Sequence, residues 1–206
     1  MSVMTTGKTE LGPGPLTVED LQHTPDDGRR YELVDGRLDV SPAPASFHTL
    51  VSGRLTTHLS NTAPVGMLVM DGPGINLNPE RTHHRIPDVA VIRNKDFQMP
   101  YTTEPPLLAV EVVSPESVFR DHHIKRHEYA EFGIPSYWVI TPDPEEPSII
   151  ELRLRKDEYV EVASTFGEEV LDTDLPFPIR VVPHWLVSLD GDWRRHISGP
   201  EARAAE

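Results

Sequence analysis

Leu107-Leu108-Ala109-Val110-Glu111-Val112-Val113 is the stretch on which the fold turns. A near-continuous apolar run of this length reads as a strand covered on both faces, the kind found in the middle of a sheet packed between helices. One carboxylate interrupts it. Burying a lone ionised carboxylate is costly, so Glu111 needs a cation, a hydrogen-bond network or a proton. A blander reading puts Glu111 at a sheet edge or against a buried arginine.

Working upstream, Pro87-Asp88-Val89-Ala90-Val91-Ile92 repeats the anomaly: one acid enters an otherwise apolar strand. Asp88, Ala90 and Ile92 share one face, as do Ala109, Glu111 and Val113. If the two strands are neighbours, the carboxylates converge, and hard oxygen ligands of this kind suit magnesium or manganese. The competing reading of Asp88 is a turn or cap residue after Pro87. Working downstream, Val118, His122, Lys125, Tyr129 and Phe132 recur at helical spacing. Lys125 therefore lies on the stripe expected to face the sheet, where an ammonium needs anions. Its alternative is a solvated Asp121–Lys125 pair worth about a few tenths of a kcal/mol.

The rest of the chain supplies the frame. Thr17 and Asp20 suggest a short capped helix over 18–23. Tyr31 to Val40 reads as a hairpin around Asp35-Gly36, because Asp-Gly between β-prone runs is a strong turn signal. Ser41-Pro42-Ala43-Pro44 stops it, and an amphipathic helix runs from Ser46 to about Asn61. Strands are expected over 67–70, 75–77, 87–92, 107–113 and 137–140, with a helix over 118–132 that Gly133 ends. A further hairpin pairs 149–154 with 159–166, and 179–182 is the last strand. The expected architecture is α/β or α+β: a mixed sheet flanked by helices, with extra N-terminal and C-terminal hairpins. Residues 1–15 are expected to be a flexible leader, 16–192 a single domain, and 193–206 a loose tail.

Composition bounds the chemistry. The chain of 206 residues has no cysteine, which excludes disulfides, thiolate zinc sites and a cysteine nucleophile and fits a reducing cytoplasm. No secretory signal or membrane-length apolar run is read. The formal charge is −14, unlike a constitutive nucleic-acid binder with its basic footprint. From Asp143 to Asp174 there are eleven acids and three bases, a net −8; from Arg81 to Ala130 seven of each cancel. A phosphate-facing surface is therefore expected in that middle region.

Pro87-Asp88 followed by Glu111-Val112-Val113 resembles the signature of the PD-(D/E)XK nuclease superfamily, an acid after a proline and then acid-x-lysine on the next strand. Val113 stands where that pattern has lysine, and Lys125 could supply the ammonium from the following helix. Several stretches in order resemble the Uma-two family of restriction endonucleases. They are Tyr31-Glu32-Leu33-Val34-Asp35-Gly36, Ser41-Pro42-Ala43-Pro44 with His48, Glu111 to Ser117 with Asp121 and Lys125-Arg126, and Tyr129 to Ile140. The resemblance covers about residues 17–190. It implies a restriction-endonuclease-like fold and metal-dependent cleavage of DNA. Asp88, Glu111 and the main-chain carbonyl of Val112 would hold Mg2+ or Mn2+. Lys125 would orient the attacking water or neutralise developing charge, and Glu32 would be a further acid lining the site. His48 and Asp121 rank below these. The resemblance also favours a homodimer.

Two other readings stay open. The missing strand lysine and the acidic charge suit a noncatalytic binding or assembly module on the same fold. His83-His84 and His122-His123 suit a different metal-dependent hydrolase, although adjacent strand residues point to opposite faces and rim positions are expected for most of these rings.

Overall fold

The computed structural model describes residues 14–114 and 117–200, so the expected leader lies largely outside the described residues, as do residues 201–206. Asp20 Oδ2 accepts the Thr17 N–H at 2.8 Å, and a 3-10 helix Asp20–His23 follows, with Glu19 at its N-cap position and no side-chain cap. Asp35 and Gly36 both adopt positive φ, 49° and 75°, and close the hairpin of β1 (Arg30–Val34) and β2 (Arg37–Ser41). The prolines of 42–44 end β2, and α1 (Ser46–Thr62) buries Val51, Leu55 and Leu59.

The chain then forms β3 (Met67–Asp71), β4 (Ile75–Asn76), β5 (His84–Arg85), β6 (Val89–Arg93) and β7 (Leu108–Val112). A π-helical turn, Arg120–Ile124, leads into α2 (Lys125–Phe132), and Gly133 caps α2 at φ 89°. Next come β8 (Ser136–Thr141), β9 (Ser148–Arg155), β10 (Glu158–Phe166), β11 (Leu171–Thr173) and β12 (Ile179–Val181), then α3 (Pro183–Val187) and α4 (Trp193–His196).

Six strands make the main sheet in the order β10-β9-β8-β7-β6-β3, mixed because β7 and β8 run parallel and the other neighbours antiparallel. The second sheet, β2-β1-β5-β4, carries the N-terminal hairpin, and β11-β12 pair separately. All five residues of β7 are buried, as its apolar run requires. Their packing divides by alternation: Leu108, Val110 and Val112 join the α1 core with Val51, Leu55 and Leu59, while Ala109 and Val113 join Tyr129, Tyr137 and Leu152 beneath α2.

Three expectations are corrected. The tail after Asp192 is not loose through residue 200: Trp193–His196 is helical and Ile197 is buried in the α1 core. The apolar anchor just beyond α4 was too short to show as periodicity. The stripe 118-122-125-129-132 does not face the sheet throughout, since Val118 is exposed and Asp121 is buried. Asp121 and His122 stand four and three residues before Lys125, both at helical spacing, and the wider π turn keeps Asp121 on the buried face while His122 is left half-buried. Finally, His84 is buried instead of lying at a rim, because β5 is a short interior strand between β1 and β4.

Candidate active site

The two strand acids meet because β6 and β7 are antiparallel neighbours with Val89 opposite Val110. One step further along that register, Asp88 faces Glu111. The Asp88 N–H continues the ladder to the Val110 carbonyl at 2.9 Å. Asp88, Glu111, Asp121 and Lys125 are each 2 % exposed and Glu32 1 %, so every charge here must be answered locally.

Asp88 is answered three times. Its Oδ1 accepts from the Arg30 guanidinium at 2.5 Å, and its Oδ2 accepts the Val112 N–H at 2.7 Å and lies 3.0 Å from His48 Nε2. Burial opposes ionisation, but the His48 hydrogen bond and the Arg30 charge prevail and hold the Asp88 pKa down at about 2. Glu111 is answered twice: the Tyr129 hydroxyl donates to Oε1 at 2.7 Å, and Lys125 Nζ lies 2.9 Å from Oε2. Burial nevertheless pushes its pKa up, against the pull of Lys125, and the nearby Asp88, Asp121 and Glu32 carboxylates add to the rise. Glu111 is thus the carboxylate of the group with most to gain from a further cation.

Lys125 does face the sheet. Burial disfavours its ammonium, but Glu111, Glu32 and Asp121 outweigh burial and hold it charged, with Glu32 Oε1 at 3.4 Å and Asp121 Oδ1 at 3.8 Å. Glu32 is buried, as the family resemblance implies and an isolated hairpin acid would not suggest. It accepts the Ile86 N–H at 2.7 Å and pairs with Arg85 at 3.2 Å, so Lys125 and Arg85 keep it ionised against burial. Arg85 in turn bridges Asp39 and, through two hydrogen bonds, Glu128 on α2. It clasps the hairpin, β5 and α2 together behind the site. Asp121 has a buried Oδ1 with no hydrogen-bond partner among the described residues.

These side chains open on one cleft of about 470 Å³ between the hairpin, the start of α1 and the π turn. On its wall stand four carboxylates, Glu32, Asp88, Glu111 and Asp121, and three permanent cations, Arg30, Arg120 and Lys125; four against three leaves a formal −1 before His48 is considered. Among the described residues no set of three or more His, Asp or Glu side chains is spaced to hold an ion by itself. The histidine pairs lie elsewhere. His83 contacts Glu128 at 3.1 Å, His84 Nδ1 bonds Asn76 Oδ1 at 2.7 Å, and His123 stacks near Phe119.

Sequence reasoning passed over Arg30 and Arg85. A signal for Arg30 existed: it stands two residues before Glu32 on β1 and so shares its face. Arg85 had none, because its partners Glu32, Asp39 and Glu128 lie on three separate elements.

A mixed sheet flanked by helices, with acids from adjacent strands and a lysine converging on one cleft, defines a restriction-endonuclease-like nuclease fold. The family model Uma2, described as "Putative restriction endonuclease", matches residues 18–190, and the chain belongs to that family. Among solved structures it is similar to one described as a putative nuclease belonging to DUF820, from Anabaena variabilis. The TM-score is 0.64 and the identity 15%, with 87% of this chain and 99% of that one covered. No curated protein matches the chain.

Proposed function

We propose that the chain is a divalent-metal-dependent nuclease that hydrolyses DNA phosphodiester bonds in this cleft. The observation that carries the reading is the buried Lys125 ammonium 2.9 Å from Glu111, on a helix, where the superfamily pattern would have placed a strand lysine. The donor chemistry fits a hard divalent ion: two strand carboxylates face each other, Glu111 is unfavourable as a buried anion, and Asp121 Oδ1, with ion-pair contacts at 3.7 and 3.8 Å, accepts no hydrogen bond among the described residues. Asp88, Glu111 and the Val112 carbonyl would hold it, and bound Mg2+ or Mn2+ supplies a water of lowered pKa and a positive charge beside the phosphate. Lys125 then orients that water or answers charge developing on the phosphate oxygens, and Glu32 keeps the ammonium aimed. His48 lines the same cleft and would contact a phosphate bound there. A homodimer would set two such clefts across a duplex. The cysteine-free sequence suits a cytoplasmic setting, and among the described residues no helix is long and apolar enough to cross a membrane.

The test is nicking of supercoiled plasmid in Mn2+ or Mg2+. Glu111→Ala is expected to abolish nicking and Lys125→Ala to reduce it at least about tenfold; cleavage that survives Glu111→Ala would show that another protein cuts and defeat the proposal. A noncatalytic binding module is the second reading, and one observation favours it: Arg30, His48 and the Val112 N–H already occupy both Asp88 oxygens. Calorimetric titration with Mn2+ separates the two, since a binding module has no need of the ion.

A further inference from the structure

Arg30 differs from the other cations of the cleft. Lys125 is shared among three carboxylates and Arg120 between two, at 3.6 and 3.7 Å, whereas Arg30 pairs with Asp88 alone among the described residues. Its side chain is 26 % exposed, while Asp88 is sealed. It is also the partition between two spaces. One is the catalytic cleft; the other is a hollow of about 510 Å³ bounded by Tyr31, His84, Ile86 and Tyr101, and Arg30 lines both. The same Nη1 that holds Asp88 Oδ1 also donates to the Ile86 carbonyl at 3.1 Å, so one nitrogen fixes the guanidinium at the boundary while the rest of the fork is uncommitted among the described residues.

We infer that Arg30 is a cation placeholder: its Nη1 occupies Asp88 Oδ1 until a divalent ion takes that oxygen, and the guanidinium then swings off Asp88 and Ile86 together to bear on the substrate phosphate. This rests on the metal-dependent reading above. Two positive charges on one carboxylate oxygen repel, so the ion and the guanidinium compete for Asp88. The displaced guanidinium keeps to the cleft side, where a phosphate offers the paired oxygens its planar fork fits. Arg30 is therefore a positioning residue with opposite effects on two measurable quantities. While latched it weakens apparent metal affinity, because only the unlatched fraction is competent to bind. Once released it helps hold DNA.

The experiment measures Mn2+ affinity of the full chain without DNA, by calorimetry or by loss of the free-ion electron paramagnetic resonance signal, for wild type and Arg30→Met. The variant is expected to bind Mn2+ about tenfold more tightly. Its plasmid nicking at saturating Mn2+ is expected to fall. A merely structural arginine would weaken both together. Binding by wild type with unchanged or weaker affinity in Arg30→Met overturns the placeholder role alone; no Mn2+ binding by either protein overturns the metal-dependent reading and the placeholder with it. Should Arg30→Met not fold, Mg2+ is titrated into wild type while the Arg30 side-chain Nε–H resonance is followed. A saturable shift supports release, and a resonance unmoved while Mg2+ binds overturns it.

Discussion

Without the Lys125 ammonium, Glu111 keeps no ion-pair partner among the described residues, and Glu32 and Asp121 each lose one. Breaking a buried pair from one side leaves an uncompensated charge, which costs about 3–5 kcal/mol. Lys125→Met is therefore expected to lower urea-unfolding stability at pH 7 by that order, and to lose less as the solution is acidified and the stranded carboxylates take up protons. Glu111 behaves in the opposite way. Its folded pKa is raised above the ordinary 4.5, chiefly by burial, so the protonated form favours folding and ionisation opposes it as pH climbs above 4.5. Glu111→Gln should thus lose nicking and improve in stability relative to wild type as pH rises above the ordinary carboxyl range, the direction in which the buried carboxylate becomes unfavourable. A Glu111→Gln protein less stable than wild type at pH 7 would mean that the Lys125 attraction exceeds the burial cost.

The hairpin is the element that delivers both Arg30 and Glu32, and its turn depends on Gly36. That residue sits at φ 75°, and a methyl group on it would run into the Pro15 ring and backbone. Gly36→Ala is expected to cost at least about 1–2 kcal/mol from the left-handed backbone alone. Nicking should fall further than thermal stability explains, because β1 carries two cleft residues; a variant with normal nicking would show that the turn does not govern the site. The hairpin itself was plain from Asp35-Gly36, whereas the Asp88–Glu111 convergence was legible only on the condition that their two apolar strands are neighbours, since the pattern fixes the face of each acid but not the strand order. That Asp121 and not His122 takes the buried face beside Lys125 was not legible, since both stand at helical spacing from Lys125 and a 3.6-residue period cannot announce a π turn. Nor were the partners of Glu32 and Arg30: the Arg30–Asp88 contact spans 58 residues and Arg85–Glu32 spans 53, distances over which local pattern carries no register.

At the scale of the molecule the difficulty is charge. On the proposed function a chain of formal −14 must approach a polyanion, and its cleft wall is itself −1 before His48. Most DNA-binding proteins lose affinity as salt rises because lysines and arginines release counterions from the phosphates. Here the cations of the cleft are already committed to carboxylates, so few are free to do this. On the proposed function a divalent ion would change the sum: it would bring two positive charges to the site and, through Arg30, free a third to face the phosphate. DNA affinity should therefore depend on the divalent ion more than on ionic strength. Fluorescence anisotropy of a labelled oligonucleotide, at fixed ionic strength with Ca2+ as an ion expected to bind without supporting cleavage, should show binding at least about tenfold tighter than in chelator. Asp88→Asn should remove most of that difference without weakening the residual binding in chelator. Equal affinity with and without Ca2+ would mean that DNA is gripped away from the carboxylates, and would shift the balance toward a binding module on a nuclease fold.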